Sequence, residues 1–309
     1  MNTFNYSLSA LIYSMIDNRL MEALAAVLDQ GGFDRAASCL GITQSAVSQR
    51  IRALEDEIGR ILIIRETPPR ATAAGERLLR HYRQVAGLEE ETIVDLGIHE
   101  EAEFRHLPVA VNADSLSVWF LDAISPFLLE TKITLEIFVD DQEKTTRFLR
   151  AGTVAGCIAS ERLNVQGFTS TKIGVIRYLL AAAPDFSRRW FPDGFDRSSA
   201  AKAPVIHFNR DDQLQYRALA QIFGMPQVSP PAHYIPSAEK LAEAALRGLG
   251  YAMMPEMQAA TEIKLGRLVE LDPRGRLDTA LYWYRWNRPS ELLERFSEAI
   301  LTQGKRILG

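Results

Sequence analysis

The sequence predicts a multi-domain α+β chain with a helical head, one long helix and a C-terminal α/β region of two lobes. Three observations carry this. Residues 36–54, AASCLGITQSAVSQRIRAL, have the apolar spacing and turn punctuation of two helices packed across a tight corner. Residues 72–103 hold no helix breaker beyond Gly75, Gly87 and Gly97. From His106 onward, short apolar runs alternate with helical patterns, as in a parallel or mixed sheet.

In the head, helices are expected near 18–29, 33–39 and 44–57. Ala36, Ala37 and Leu40 form an apolar face, and Gly41 follows where the turn needs a residue tolerant of positive φ. Ile42 tucks in, and the Thr43 hydroxyl can cap the next helix. Val47, Ile51, Leu54 and Ile58 recur at helical spacing and face the core. Thr43 and Gln44 open that helix, and its opposite face carries Ser45, Ser48, Gln49 and Arg52. Short hydroxyls, amides and a guanidinium are the groups that reach base edges and phosphates in a major groove. Arg50 is a further phosphate candidate.

Residues 59–79, GRILIIRETPPRATAAGERLL, continue with a short β-rich run, a turn at Pro68-Pro69 and a capped helix start. A winged helix-turn-helix continues in this way. Arg65 and Arg70 flank the turn, where a wing meets phosphate or the minor groove. A plain helical hairpin followed by an ordinary proline turn fits the same residues, and both readings stand on this segment alone. Beyond it, Leu78, Leu79, Tyr82, Val85, Leu88 and Leu96 make a broken apolar stripe on a helix of about 30 residues, roughly 45 Å long. A dimerising linker explains such a helix most economically; a helix packed on a domain is the alternative.

The α/β region is expected to have strands at 107–113, 133–139, 153–159, 169–183, 204–208, 232–235, 250–254, 267–271 and 281–286. Helices are expected from Asp114, from about Asp141 to Arg150, at 237–247 and at 290–307. A return of the last strand and helix to the first lobe gives two crossovers and a cleft between lobes.

The 309 residues carry 47% hydrophobic side chains, enough for several cores, and a net charge of −4, so the chain is not a globally basic binder. Charge is unevenly placed. Residues 44–83 hold eight Arg against five acids, and residues 89–103 hold seven acids and no Lys or Arg. Cys39 and Cys157 fit no metal spacing and are expected to be buried small hydrophobes in a reducing cytoplasm. No apolar run reaches membrane-spanning length, and the first 17 residues lack the pattern of a signal peptide. Dinucleotide, phosphate-loop, nucleophile-elbow and zinc-protease motifs are absent, and the five histidines are scattered. Neither an enzyme nor a metal or cofactor is expected.

Over nearly its whole length from Asn18, the chain resembles the LysR-type transcriptional regulators. RAASCLGITQSAVSQRIRALEDEIG in the head and GLGYAMMP at 248–255 carry the likeness. AVNADSLSVWFL, RWFPDGF, KAPVIHF, HYIPSAE and LYWYRW are similar to the ArgP/LysG branch, which senses lysine and arginine and activates genes such as basic amino-acid exporters. YIP at 234–236 departs from that branch's more polar lead-in. The resemblance implies an N-terminal extension at 1–17, a winged helix-turn-helix at 18–75, a dimerising linker helix at 76–105 and an effector domain at 106–309. That last domain would be two-lobed and periplasmic-binding-protein-like, with lobe I at 106–174 and 279–309 and lobe II at 175–278. It also implies double-stranded DNA and a small-molecule effector, L-lysine or L-arginine, as partners. A homodimer or homotetramer, contact with RNA polymerase and a cytoplasmic location follow from the same likeness.

In such domains the effector sits between the lobes. Asn112, Ala113, Asp114 and Ser115 end a strand and open a helix, where free N–H groups favour a carboxylate. Asp114 suits either a helix cap or an ammonium partner. Asp140, Asp141 and Glu143 suit a guanidinium or ε-ammonium, or simply a helix N-terminus. Ser160 follows the third strand, and Ser237 and Glu239 open a second-lobe helix that faces the cleft by analogy. Trp119 reads as core, with an aromatic wall over a cation as the alternative. The alternatives are a LysR-type regulator answering another small ligand and a cytoplasmic solute-binding protein with a fused head. An amino-acid-processing enzyme and an effector-free DNA binder complete the set.

Overall fold

The structure, a computed structural model, describes residues 17–96, 104–140, 145–160, 162, 167–224, 229–287 and 290–309. The extension expected at 1–17 lies outside them except for Asp17, as do Asp141 and Glu143. The chain divides into two compact units, residues 1–101 with 150–153, and residues 102–149 with 154–309.

The first unit is the head and the long helix. Helix α1 (Asn18–Asp29) opens under Asp17, whose carboxylate accepts from the Arg19 N–H at 2.8 Å. Helix α2 (Phe33–Leu40) stops at Gly41, which sits at φ +64° and closes the helix with its own N–H. Helix α3 (Gln44–Ile58) starts under the Thr43 hydroxyl, which accepts from the Ala46 N–H at 3.2 Å. Leu24 and Val27 of α1, Ala36 and Ala37 of α2, and Val47, Ile51 and Leu54 of α3 make one core. Strands β1 (Ile63–Ile64) and β2 (Arg70–Ala71) pair antiparallel as the wing, with Pro68 and Pro69 in the connecting turn. Glu55 ties the wing to α3 by accepting from the N–H groups of Leu62 and Ile63.

Helix α4 (Ala73–Asp95) begins at once. The Thr72 hydroxyl donates to the Ile61 carbonyl and accepts from the Gly75 N–H, locking the helix start to the wing. The approach is so close that a Cβ on Gly75 would lie 2.2 Å from the Leu62 carbonyl oxygen. The linker expected at 76–105 therefore starts three residues early, its described part ends at Asp95, and Arg105 belongs to a strand. The apolar stripe also divides. Leu78 and Tyr82 pack on the head core and Leu79 is buried, whereas Leu88 and Leu96 are 45% and 67% exposed. Cys39 is exposed, contrary to the expectation of burial, because it falls on the outer face of the short helix α2; Cys157 is buried.

The second unit is built on one mixed sheet. Strand β3 (Arg105–Asn112) runs into a helical stretch, Ala113–Ser115, then a π-helical stretch Leu116–Phe120, then α5 (Leu121–Leu129). Strand β4 (Ile133–Asp140) and, after α6 (Thr146–Arg150), strand β5 (Gly156–Ala159) flank β3 in parallel. The long strand β6 (Phe168–Ala182) follows, then α7 (Pro184–Trp190), α8 (Arg197–Lys202), β7 (Val205–His207), α9 (Leu214–Phe223) and β8 (Ala232–Tyr234). Helix α10 (Ala238–Leu246), β9 (Ala252–Pro255), α11 (Glu256–Lys264), β10 (Val269–Glu270), β11 (Leu277–Trp286) and α12 (Glu291–Leu308) complete it.

The order across the sheet is β10-β6-β11-β5-β3-β4, with β9 also on β6. Strands β6 and β11 run antiparallel to each other over most of their length, and they carry the chain between the two lobes. The expected lobe limits, 174/175 and 278/279, fall inside these two strands. Strands β7 and β8 pair in parallel in the second lobe, with Val205 bridged to Tyr251. Helices α7, α8, α9 and α11 were not expected from the pattern. They are six to ten residues long, and Pro, Gly and Asp punctuate the segment around α7 and α8, so no periodicity accumulates. Trp119, Phe120, Trp283 and Phe296 are buried in the main core, as read for Trp119.

Candidate functional site

In the first unit, α3 places Val47, Ile51 and Leu54 inward. Its other side leaves Gln44, Ser45, Gln49 and Arg52 exposed and Ser48 and Arg50 half-buried. Thr43 is exposed and busy as the cap; its hydroxyl also lies 2.9 Å from that of Ser45. The two wing cations are exposed, with the Arg65 guanidinium over the Phe33 ring and Arg70 3.5 Å from Glu66. This is a helix with a hydroxyl-, amide- and guanidinium-bearing face beside a cationic turn.

In the second unit, the parallel strands β3, β4 and β5 end together. Register sets Asn112 opposite Asp140, and Ser160 directly follows β5. Asn112, Ala113, Asp114, Ser115, Asp140 and Ser160 thus gather at one end of the sheet. Asn112 and Ser115 are 1% and 0% exposed, and neither the amide of the first nor the hydroxyl of the second has a hydrogen-bond partner among the described residues. Asn112, not Asp114, occupies the N-cap position, so the cap reading of Asp114 is corrected. The Asp114 carboxylate instead accepts from the Tyr178 hydroxyl of β6 at 2.7 Å. Asp140 is ion-paired with Arg147 at 2.8 Å, so its charge is already answered.

A cavity of about 30 Å³ opens beside these residues. It is lined by Ala113 and Asp114 from the first lobe and by Phe208, Asp212, Leu214, Ala238, Leu241, Met253, Met254, Pro255 and Gln258 from the second. Of the expected effector residues that the structure describes, only Ala113 and Asp114 are among the lining. Ser237 and Glu239 are not. The Ser237 hydroxyl caps α10 by accepting from the Lys240 N–H, Glu239 is exposed, and the helix turns Ala238 and Leu241 to the cavity, one turn apart.

Sequence reasoning missed Tyr178, Asp212 and Gln258. Asp212 follows strand β7 much as Asp114 follows β3, so the rule that ligands collect at strand C-termini pointed to it. Its two oxygens accept from the Phe208 N–H at 2.9 Å and the Leu214 N–H at 3.0 Å. Next to it lies His207, 1% exposed, with Nδ1 3.9 Å from Asp212 and its ring centroid 4.9 Å from that of Tyr216 and 5.8 Å from that of Tyr234. Burial pushes the His207 pKa down, and the Asp212 charge only partly opposes this. Burial likewise raises that of Tyr216. Gln258, in the first turn of α11, donates from Nε2 to the Ala238 carbonyl at 3.5 Å, and its buried Oε1 has no donor.

Comparison with known proteins agrees with both units. Residues 18–76 match the family described as bacterial regulatory helix-turn-helix protein, lysR family, and residues 101–305 match the LysR substrate binding domain. The HTH-type transcriptional regulator ArgP of Pseudomonas aeruginosa is 41% identical over 290 residues, 94% of this chain and 96% of that one. The crystal structure of ArgP from Mycobacterium tuberculosis superposes with a TM-score of 0.81 at 38% identity, covering 94% of this chain and 97% of that chain. Full-length LysG from Corynebacterium glutamicum, solved with arginine bound as effector, gives 0.73 at 34% identity, covering 94% and 99%.

Proposed function

The chain belongs to the LysR family of bacterial transcriptional regulators, and from that premise we propose that it answers a basic amino acid, L-arginine or L-lysine, held in the cavity of its second unit. The observation that carries this is the lining. Two carboxylates, Asp114 and Asp212, face the cavity among mostly apolar side chains, and no Lys, Arg or His of the described residues lines it. Such a cavity attracts a cation with an aliphatic stem. The buried Ser115 hydroxyl and Asn112 amide, unpartnered among the described residues, flank the lining residues Ala113 and Asp114 in sequence and supply donors for a ligand carboxylate. The bound arginine of the LysG relative points the same way. A 30 Å³ cavity has room for two or three waters, so the lobes separate about β6 and β11 to admit an amino acid.

On the DNA side, Gln44, Ser45, Ser48, Gln49 and Arg52 read base edges, and Thr43, Arg50, Arg65 and Arg70 hold the backbone. The regulator acts as a homodimer or homotetramer in the cytoplasm, with RNA polymerase as the downstream partner and genes of basic amino-acid export or metabolism as targets. No helix of the described residues is long and apolar enough to cross a membrane. Thermal-shift measurement across the twenty amino acids tests the effector, and gel-shift on the chain's own upstream DNA tests the response. Stabilisation by arginine or lysine, and a changed DNA complex in their presence, are expected. Stabilisation by a neutral or acidic amino acid instead would make this a LysR-type regulator of another ligand.

A further inference from the structure

The polar lining of the cavity does not treat the two ends of a basic amino acid alike. We propose that the side-chain cation is read from the second lobe, by Asp212 together with Gln258, while Asp114 of the first lobe takes the α-ammonium. The assignment rests on the basic amino-acid reading above, and it moves the recognising charge away from Asp140, which Arg147 already pairs.

Asp212 is built to stay fixed. Each of its oxygens accepts one backbone N–H, from Phe208 and from Leu214, so the carboxylate cannot swing aside. A carboxylate has about four acceptor positions, so roughly two remain for a ligand. Burial disfavours the protonated form of the neighbouring His207, so that ring offers Asp212 little opposing charge. Gln258 adds a third acceptor: its Oε1 is buried without a donor, a state that costs free energy until one arrives. A guanidinium brings five N–H donors and an ammonium three, which matches these acceptors. Leu214 and Met253, also in the lining, offer apolar surface for the methylene stem.

Charge matching sharpens the assignment. A basic amino acid has two cations, and the cavity has two carboxylates on opposite lobes. Asp114 precedes Ser115 in sequence; that hydroxyl is buried outside the cavity lining and has no partner among the described residues, so parting of the lobes would offer it to the α-carboxylate that adjoins an α-ammonium held by Asp114. A neutral amino acid leaves the Asp212 charge without a cation to answer it, even where, as in citrulline, it still brings N–H donors.

The test is calorimetric titration of the full chain with L-arginine and L-lysine, each against its neutral counterpart, L-citrulline and L-norleucine. The native chain should prefer the basic member of each pair by about tenfold or more. Asp212→Asn should bring both ratios close to one by weakening the basic ligands alone, and Gln258→Leu should lower them part-way. Asp114→Asn should weaken all four ligands alike. DNA binding without ligand should be native in each variant, which separates a lost contact from a lost fold; should Asp212→Asn fail this control, the Gln258→Leu ratios decide. Native-like ratios in Asp212→Asn, or in Gln258→Leu, or ratios that collapse in Asp114→Asn instead, overturn the assignment while leaving the effector reading intact. A native chain that binds neither arginine nor lysine overturns both.

Discussion

Tyr178 and His207 show how single side chains behind the cavity set its chemistry. The Tyr178 hydroxyl holds Asp114 from the crossover strand β6, so the carboxylate's position depends on a residue far from it in sequence. Tyr178→Phe removes a hydrogen bond to a charged acceptor, a loss of about 1.5–3 kcal/mol where the acceptor is buried and less where it is partly wet. Effector affinity should fall several-fold by calorimetry, with ligand-free DNA binding unchanged. His207 acts through pH. Its folded pKa lies below the ordinary value because burial disfavours the imidazolium. Below about pH 6.5 the unfolded chain takes up a proton that the folded chain refuses. The stability due to neutral His207 is therefore complete above that pH and is lost as pH falls towards the folded pKa. Denaturant midpoints measured from about pH 7.5 down to about pH 5.5 should decline, and His207→Gln should decline less. Parallel curves for the two proteins would show that this ring does not carry the dependence.

Among the elements, α4 and the wing meet where no side chain fits. Gly75→Ala sets a methyl carbon against the Leu62 carbonyl at a distance no real pair tolerates. The helix must shift off β1, at a cost of about 1–3 kcal/mol, readable as a lower thermal midpoint of the head. On α3 and the wing, the proposed DNA contacts separate by chemistry. Gln49→Ala should cost about 1–3 kcal/mol on one specific site and little on random DNA. Arg70→Ala should weaken both and flatten the salt dependence. Equal losses on both DNAs for the two variants would abolish that division. The head was legible in sequence because each of its signals is local: Gly41 at its turn, Thr43 at its cap, and the Val47, Ile51, Leu54 spacing. The strand end at Asn112 to Ser115 was legible for the same reason, being contiguous, and two of its residues, Ala113 and Asp114, line the cavity. The rest was not. Tyr178, Asp212 and Gln258 are 64 or more residues from Asp114 and meet it only because β6 crosses lobes and β7 and β9 align beside it. Nor could the linker stripe be divided by periodicity, which cannot tell a leucine facing its own head from one facing a partner.

At the scale of the whole molecule, the question is what covers α4. Leu78 and Tyr82 are used up inside the head, which leaves Val85, Leu88, Thr92 and Leu96 recurring every three or four residues along one face. Leu96 is among the most exposed large apolar side chains described, and Leu88 is exposed as well. Two copies of this helix laid together would remove that face from water and bring two heads onto successive half-sites of one duplex. A net charge of −4 makes such pairing useful, because the cations of residues 44–83 act on DNA more strongly when two heads share one duplex. The native chain should therefore sediment as a dimer or larger at micromolar concentration. Leu88→Gln with Leu96→Gln should shift it towards monomer without lowering the thermal midpoint of the head, whose core uses neither residue. The same variant should lose far more affinity for a two-half-site duplex than for a single half-site. A native monomer with full affinity for the two-half-site duplex would rule out pairing through α4.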